Sequence, residues 1–304
     1  MTDAALSVVI ATRDRPELLR RAIEAVLAQA HPCPIEVVLV FDHSEPDHSL
    51  ARGATGDDRR VVVTTNSHKP GLAGARNSGV ASSSHDWIAF CDDDDEWLPG
   101  KLAGQFAALD CLPGARIATT GVYINFNGQD TARIPVRERL TFEGFLKDRM
   151  TEVHPSATLV HRSVIDEIGD VDVSIPGGYA EDYDWLLRAT KVSPIAVAAD
   201  PLVRVYWHGA SFFFERWKTI DEALEYLVEK HPEFHDHPAG LARIRGQQAV
   251  ARAAMGQRTN ALRTAFETFR LRPLERRVPV AVLVAAGVPA GVVLKTLHRF
   301  GKGI

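Results

Sequence analysis

The sequence predicts an α/β fold in which a mostly parallel β-sheet is covered by helices, followed by a helical C-terminal region. Short β-rich runs end in polar or Gly-rich sequence, a helical pattern separates the first two runs, and helical periodicity takes over after about residue 221. Ligands of such alternating folds bind beyond the carboxyl ends of the strands, so the polar residues that follow each run are candidate site residues. The four runs are Leu6–Ala11, Ile35–Phe41, Val61–Thr65 and Trp87–Cys91.

The first helix is predicted over Arg15–Ala28, between the first two strands. Its apolar residues recur at helical spacing on one face, and Pro16 stands early, where a helix tolerates proline. Asp14 and Glu17 have the spacing of an N-terminal capping box. The segment therefore predicts a β-α-β unit with two parallel strands.

A change in pattern divides the chain between residues 215 and 216. Residues 1–215 carry the α/β pattern, whereas residues 216–304 form a helical region with clear helical patterns at Ala239–Arg252 and Thr259–Arg270. Within that region Val278–Leu294 is apolar, although it is short for a membrane span and is interrupted by proline and glycine. Basic residues flank it, so it predicts either contact with an anionic membrane surface or a buried helix pair. The flanking residues are Arg276, Arg277, Lys295, His298, Arg299 and Lys302.

Charge and cysteine content exclude several classes of protein. The net charge of -4 lacks the basic excess that binding to a nucleic acid backbone requires. Cys33, Cys91 and Cys111 are widely spaced and include no CxxC pair, which argues against a disulfide framework and a structural zinc site. The N-terminus has no secretory signal pattern, so the sequence predicts a cytoplasmic protein, either free or peripheral at the inner face of the cell membrane.

A run of five consecutive acids, Asp92–Glu96, directly follows the fourth strand. If the chain stayed extended, Asp92 and Asp94 would share one face and Asp93 and Asp95 the other. Two carboxylates on one face can hold Mg²⁺ or Mn²⁺ together with a substrate phosphate. The alternative is a solvated acidic loop without a metal.

A glycine-rich segment, Gly71–Gly79, follows the third strand with the sequence GLAGARNSG. Its glycines permit close approach of a backbone, the start of a helix offers free N–H groups, and Arg76 can meet an anion. The segment predicts a phosphate-binding element, and the alternative is an ordinary glycine-rich turn before a helix.

Together, three segments resemble family 2 of the glycosyltransferases. They are SVVIAT at residues 7–12, GLAGARNSG at residues 71–79 and FCDDDDEWLPGKL at residues 90–102, and the resemblance extends from Leu6 to Ser211. It implies the GT-A fold, a Rossmann-like sheet flanked by helices, and a metal-dependent enzyme that inverts the configuration of the transferred sugar.

The resemblance also implies roles for residues on the donor side. Asp42 matches an Asp that contacts the nucleobase, although Phe41 stands where the family usually has another Asp. Asp92-Asp93-Asp94 matches the Asp-x-Asp motif, with Asp94 as the direct metal ligand and Asp92 or Asp93 near the ribose or the metal. The predicted contacts to the nucleotide sugar are Thr12, Arg13, Asp42, Gly71, Arg76, Asn77, Asp92 and Asp93.

Acceptor-side roles follow from further segments that resemble the family. In GGYAEDYDWLLR, residues 177–188, Asp182 matches the general base and Glu181 a supporting acid, whereas the alternative is that both acids stabilise a helix N-terminus. His154 and Arg162 belong to an acceptor-side segment. His208 matches a residue that approaches the metal or the diphosphate, so the predicted metal ligands are Asp94, Asp92 and His208.

The predicted function is transfer of a sugar from a nucleoside diphosphate, with UDP favoured over GDP and dTDP, to a hydroxyl of a glycan or lipid-linked glycan. A sugar-phosphate nucleotidyltransferase is one alternative, because it would also use paired acids and a metal. A non-catalytic module that binds nucleotide sugars is the other. Analysis of the reaction products distinguishes these classes.

Overall fold

The first half of the sheet is parallel, as the sequence predicts. A computed structural model describes residues 4–54, 57–207 and 216–293. Its first four strands run parallel in the order β3-β2-β1-β4, and the pairing of β1 with β2 extends from Leu6 opposite Ile35 to Thr12 opposite Phe41. Both β1 and β2 are almost wholly buried, which explains their continuous apolar sequence. The strands are β1 (Leu6–Thr12), β2 (Ile35–Phe41), β3 (Arg59–Thr65) and β4 (Trp87–Phe90).

The second half of the sheet mixes strand directions. Strand β8 pairs antiparallel with both β4 and β6, while β9 runs parallel to β6 and antiparallel to β5. The order across the sheet is β3-β2-β1-β4-β8-β6-β9-β5, with β7 paired to β6. The additional strands are β5 (Glu96–Trp97), β6 (Ile117–Phe126), β7 (Gln129–Arg133), β8 (Leu159–His161) and β9 (Ile195–Tyr206).

The helices that accompany the sheet begin close to where the sequence predicts them, but the first is not capped as expected. Helix α1 starts at Pro16, and its N-cap is Arg15, which makes no side-chain capping bond. The capping-box prediction is wrong because Asp14 lies one residue before the cap and has a positive φ of 54°. The helices are α1 (Pro16–Leu27), α2 (Leu72–Ser82), α3 (Lys101–Asp110), α4 (Phe142–Lys147), α5 (Arg162–Ile168) and α6 (Glu181–Ala189).

Among the described residues, a second compact unit comprises residues 146–149, 174–180 and 216–293, and the first unit holds the others. We retain the boundary at residues 215 and 216 as a proposal. In the second unit, alanine- and valine-rich faces of α8, α9 and α10 form a small apolar core. Within the described parts of the chain, no helix combines the length and apolarity that crossing a membrane requires. The helices of the C-terminal region are α7 (Trp217–Lys230), α8 (Pro238–Ala254), α9 (Arg258–Leu271) and α10 (Arg277–Ala285).

The apolar run after residue 277 contributes directly to this core. Helix α10 buries Val280, Ala281, Val284 and Ala285, so the buried-helix interpretation accounts for much of the run. Residues 294–304, which include the basic end of the predicted tail, lie outside the described residues.

Lys101, the first residue of α3, is a fully buried cation. Its Nζ donates to Gln105 Oε1 at 2.8 Å and lies 3.6 Å from the centre of the Trp97 ring. Burial lowers the pKa of Lys101 from 10.5 to about 7, although Cys91 opposes the shift. Between these two pKa values the unfolded chain binds a proton that the folded chain does not, so this group makes the protein more stable as the pH rises.

Lys101→Met is therefore expected to stabilise the protein most at and below pH 7. The difference in unfolding free energy between variant and wild type should shrink as the pH rises toward 10.5, by at most about 1.4 kcal/mol per pH unit. Chemical denaturation across this pH range measures it. The exposed Lys218→Met change is the matched control, and a difference that stays constant with pH would contradict the prediction.

Candidate active site

The candidate site lies where β1, β2 and β4 end at the same edge of the sheet. Thr12 is the last residue of β1, Asp42 follows β2, and Asp92 comes two residues after β4. Parallel strands present their carboxyl ends together, so residues that are far apart in sequence meet here. The convergence of these strand ends was predictable from the strand pattern.

The acidic run is a tight turn and does not continue the strand. The backbone N–H of Asp95 donates to the carbonyl of Asp92 at 3.1 Å, which closes a four-residue turn. The prediction that Asp92 and Asp94 share a face is wrong because side chains alternate only in an extended chain. Asp94 instead accepts a hydrogen bond from Arg15 Nη1 at 2.8 Å.

Asp93 turns toward the end of β1. Its carboxylate accepts from Thr12 Oγ1 at 2.7 Å and from Arg15 Nη1 at 3.1 Å. Burial raises the pKa of Asp93, although these two partners oppose the shift. Both Thr12 and Asp93, predicted to contact the nucleotide sugar, thus lie in one buried contact that joins β1 to the acidic turn. Arg13 is largely exposed beside Asp14.

Within the described residues, ligand atoms of Asp92, Asp95 and His154 lie within 4.8 Å of one another. Ser156 orients this group: its Oγ donates to Asp95 Oδ2 and accepts from the backbone N–H of Asp92 at 3.0 Å. Two carboxylates and an imidazole suit Mn²⁺, whereas Mg²⁺ prefers oxygen ligands. The donor set therefore fits a divalent cation.

The pKa values of the two carboxylates in this group are shifted in opposite directions. Burial raises the pKa of Asp95 well above its usual value, and the neighbouring charge of Asp92 adds to the shift. Burial also acts to raise the pKa of Asp92, but the Arg76 cation, and His154 when it is protonated, hold it below its ordinary range. Asp92 is therefore the carboxylate that stays ionised over the widest pH range in the pair.

Arg76 is the central cation of the site. It projects from α2 and donates to Asp92 Oδ1 at 2.8 Å and to Glu181 Oε1 at 3.0 Å, with only 5% of the residue exposed. Burial acts to lower the pKa of Arg76, but Asp92 and Glu181 raise it above its ordinary value. One guanidinium thus joins the acidic turn to the start of α6.

Asp182, the predicted base, lies close to this cation. It is the second residue of α6, and its charge influences the pKa of Arg76, Asp92 and His154. A cavity of about 30 Å³, large enough for a water molecule, lies beside it. The cavity is lined by Arg76, Phe90, Val153, Pro155, Thr158, Val171, Asp182, Trp185 and Leu186.

Asp42 and the glycine-rich segment form the other side of the site. The Asp42 carboxylate accepts from Asn66 Nδ2 at 2.8 Å and from the N–H of Gly71 at 3.1 Å. Gly71 has a φ of 119°, which side-chain-bearing residues rarely adopt. At Gly79 a Cβ would lie 2.2 Å from a Val9 methyl, so this glycine allows α2 to pack against β1.

Two further predicted residues have partners in the structure, and a third lies outside the described residues. The Asn77 side chain donates to the carbonyl of Val171 at 2.8 Å and accepts from its N–H at 3.0 Å, so it holds two segments together, and its contact with the nucleotide sugar stays a prediction. Arg162 donates to the carbonyls of Val80, Ser83 and His85, and its place on the acceptor side stays a prediction. His208 lies outside the described residues.

Three further residues belong to the site, although the sequence does not single them out: Arg15, Asp95 and Ser156. The helical pattern includes Arg15, and only its bonds to Asp93 and Asp94 reveal its place. Asp95 is visible within the acidic run, but strand alternation assigns it to the wrong face. No sequence signal indicates that Ser156 reaches it.

Comparison with known proteins identifies the class to which this fold and site belong. The family model described as "Glycosyl transferase family 2" matches residues 7–169, more than half of the chain. The chain therefore belongs to family 2 of the glycosyltransferases and is a glycosyltransferase, as the three sequence segments predicted.

Relatives in sequence include several named glycosyltransferases. The chain is 29% identical to "Uncharacterized glycosyltransferase YwdF" of Bacillus subtilis, over 61% of this chain and 68% of that protein. It is 28% identical to "Succinoglycan biosynthesis protein ExoW" of Rhizobium meliloti, over 82% and 85%. The Escherichia coli enzyme "UDP-Glc:alpha-D-GlcNAc-diphosphoundecaprenol beta-1,3-glucosyltransferase WfgD" is 29% identical over 36% of this chain and only 42% of its own length.

Solved structures with the GT-A fold are similar across nearly the whole chain. S. aureus TarS 1-349 in complex with UDP-GlcNAc has a TM-score of 0.58 at 14% identity, covering 98% of this chain and 92% of that one. The mannosyltransferase PcManGT from Pyrobaculum calidifontis, in complex with GDP-Man and Mn²⁺, has a TM-score of 0.52 at 15% identity, covering 99% and 88%. At these identities the likeness establishes the GT-A fold alone.

Proposed function

We propose that this protein transfers a sugar from a nucleoside diphosphate to a hydroxyl of a glycan or lipid-linked glycan, with inversion at the anomeric carbon. One observation carries the proposal: the Arg76 guanidinium links Asp92, in the acidic turn, to Glu181, which directly precedes the proposed base Asp182. An anion-binding cation and a proton acceptor thus lie side by side at the edge of the sheet where ligands of such folds bind.

The proposed reaction is a single in-line displacement. Asp182 accepts the proton of the acceptor hydroxyl as its oxygen bonds to the anomeric carbon, while the bond from that carbon to the diphosphate oxygen breaks on the opposite face. Glu181 positions Arg76, whose positive charge stabilises the departing diphosphate. Inversion follows because only one displacement occurs.

We propose that Mg²⁺ or Mn²⁺ is held at the acidic turn. Asp92, Asp95 and His154 are the candidate set from geometry, whereas the family resemblance favours Asp94 with Asp92. When bound, the ion would neutralise negative charge on the diphosphate. PcManGT, a neighbour in structure, binds Mn²⁺ with its donor, which supports a divalent ion here.

Asp92→Asn is expected to abolish the dependence of donor cleavage on Mn²⁺, because Asp92 belongs to both candidate ligand sets. Rates over a Mn²⁺ series, together with calorimetric Mn²⁺ binding, measure it. Asp94→Asn and Asp95→Asn then decide between the sets, and the exposed Asp86→Asn change is the control. If Mn²⁺ activated the Asp92→Asn variant as it activates wild type, the metal would not bind at this turn.

UDP is the proposed nucleotide and a lipid-linked glycan the proposed acceptor. WfgD is named for a UDP-glucose donor and a diphosphoundecaprenol acceptor, ExoW for succinoglycan biosynthesis, and TarS was solved with UDP-GlcNAc. These names support a place in polysaccharide synthesis. A cytoplasmic position at the inner face of the cell membrane would bring the protein to such an acceptor.

The test is a panel of UDP-, GDP- and dTDP-sugars incubated with the protein and Mn²⁺, with and without short glycans and lipid-linked glycans. Release of one nucleoside diphosphate, with the sugar recovered on an acceptor in the inverted configuration, is the expected result. Release of pyrophosphate from a nucleoside triphosphate and a sugar phosphate would support a nucleotidyltransferase. Donor binding without any turnover across the panel would support a binding module.

A further inference from the structure

Helix α9 places its small residues inside and its large apolar residues outside. Its buried residues are Ala261, Thr264, Ala265 and Thr268, which face the apolar core of the second unit. Leu262, Phe266 and Phe269, by contrast, are 47%, 62% and 47% exposed. An ordinary surface helix has the reverse distribution, so these three side chains are available to an external partner.

The exposed apolar residues form a row that arginines enclose. Arg258, Leu262, Phe266 and Arg270 follow one another at intervals of four, so they are successive neighbours along one side of α9, and Phe269 lies next to Phe266. Both arginines are exposed. Apolar side chains can therefore leave water while the guanidiniums at both ends stay in contact with polar groups.

The apolar character continues beyond the end of the helix. Leu274, in the connection between α9 and α10, is 90% exposed, and the neighbouring Arg272 and Arg276 are exposed as well. We call the set Arg258, Leu262, Phe266, Phe269, Arg270 and Leu274 the α9 surface.

Charge distinguishes this segment from the rest of the chain. Residues 258–293 contain six arginines, no lysine and two glutamates, whereas the whole chain has a net charge of -4. Of the two acids, Glu275 is buried, and Glu267 is paired with Arg263 at 3.1 Å. The exposed charge beside the aromatic residues is therefore strongly positive.

We propose that the α9 surface docks on an anionic lipid surface. Phe, Leu and Arg on one side of a helix are the composition of helices that lie in the plane of the interface, with aromatic rings between headgroups and acyl chains. The arginines would pair with lipid phosphates. A symmetric contact with a second copy is disfavoured because it would bring the same arginines of both copies together.

This inference goes beyond the proposed transfer reaction. None of the residues of the α9 surface belongs to the candidate active site, so lipid binding is measured without donor, acceptor or metal. A failure of the proposed chemistry would leave it standing, and the reverse also holds.

The test is sedimentation of the full chain with phosphatidylcholine vesicles that contain or lack phosphatidylglycerol. Wild type should bind the anionic vesicles and lose binding at high salt. Phe266→Ser with Phe269→Ser, and separately Arg258→Glu with Arg270→Glu, should each weaken binding by about tenfold or more. The substituted side chains are exposed, so the thermal midpoint should stay near that of wild type.

Matched controls lie in the first unit. Phe126→Ser removes a phenyl group that is 47% exposed, and Arg133→Glu with Arg137→Glu reverses two exposed charges, so both should bind vesicles like wild type. The proposal is overturned if wild type ignores anionic vesicles, or if the α9 variants bind them as well as the controls do. The proposal is also overturned if the only effect of the α9 substitutions is to dissociate a dimer of this chain.

Discussion

Asp182→Asn is expected to lower kcat by roughly 10² to 10⁴-fold while the affinity for the nucleoside diphosphate stays close to that of wild type. The amide keeps the size of the side chain but cannot accept the acceptor proton at neutral pH. Asp182 is the second residue of α6 and lies beside Arg76, whereas Asp42 and Gly71 bond to each other on the other side of the site. The loss should therefore fall on the chemical step.

Steady-state rates with a saturating donor, together with calorimetric binding of the nucleotide, separate a loss of kcat from a loss of nucleotide affinity. Asp166→Asn, which alters an exposed carboxylate of α5, is the matched control and should retain full activity. If the Asp182 variant kept more than about a tenth of the wild-type kcat, Asp182 would not be the base. Equal losses of kcat and nucleotide affinity would indicate a damaged donor site.

Arg76→Ala is expected to reduce the free energy of unfolding by about 3 to 5 kcal/mol, because it leaves a buried pair of carboxylates without their cation. The side chains of Arg76 and Glu181 are only 6% and 9% exposed, so water replaces the lost contacts poorly. The stability of Arg76→Lys should lie between those of wild type and Arg76→Ala. An ammonium keeps the charge but cannot present the same planar fork to both carboxylates.

Chemical denaturation measures these stabilities, and nucleotide binding of the folded Arg76→Lys protein reports on the site. Arg20→Ala is the control, because its pair with Asp47 is exposed and should contribute at most about 1 kcal/mol. An Arg76→Ala protein as stable as the Arg20→Ala protein would show that Asp92 and Glu181 do not depend on this guanidinium.

Local sequence patterns predicted the first half of the sheet well. Strands β1 and β2 are buried on both faces, so their Val- and Ile-rich runs end close to where the strands end. Because parallel strands end at a common edge, the strand pattern alone groups Thr12, Asp42 and Asp92. The capping of α1 was missed because a shift of one residue along the backbone changes which side chain can reach the free N–H groups.

The partners of charged side chains could not be predicted in the same way. Hydrogen bonds form between residues far apart in the chain, such as Arg76 with Glu181 and Ser156 with Asp95, and no local periodicity records them. The contact of the Asn77 amide with the backbone of Val171 is likewise absent from the local pattern of the glycine-rich segment.

By itself, the sequence determined the family, the extents of the early strands and the placement of the acids at a strand end, because each is recorded in short local segments of the chain. Only the tertiary structure decided that the acidic run turns, so that ligand atoms of Asp92, Asp95 and His154 lie within 4.8 Å of one another. It also decided that α9 exposes Phe266 and Phe269. Both outcomes depend on which surfaces the rest of the chain covers, and that is settled only when the whole chain packs.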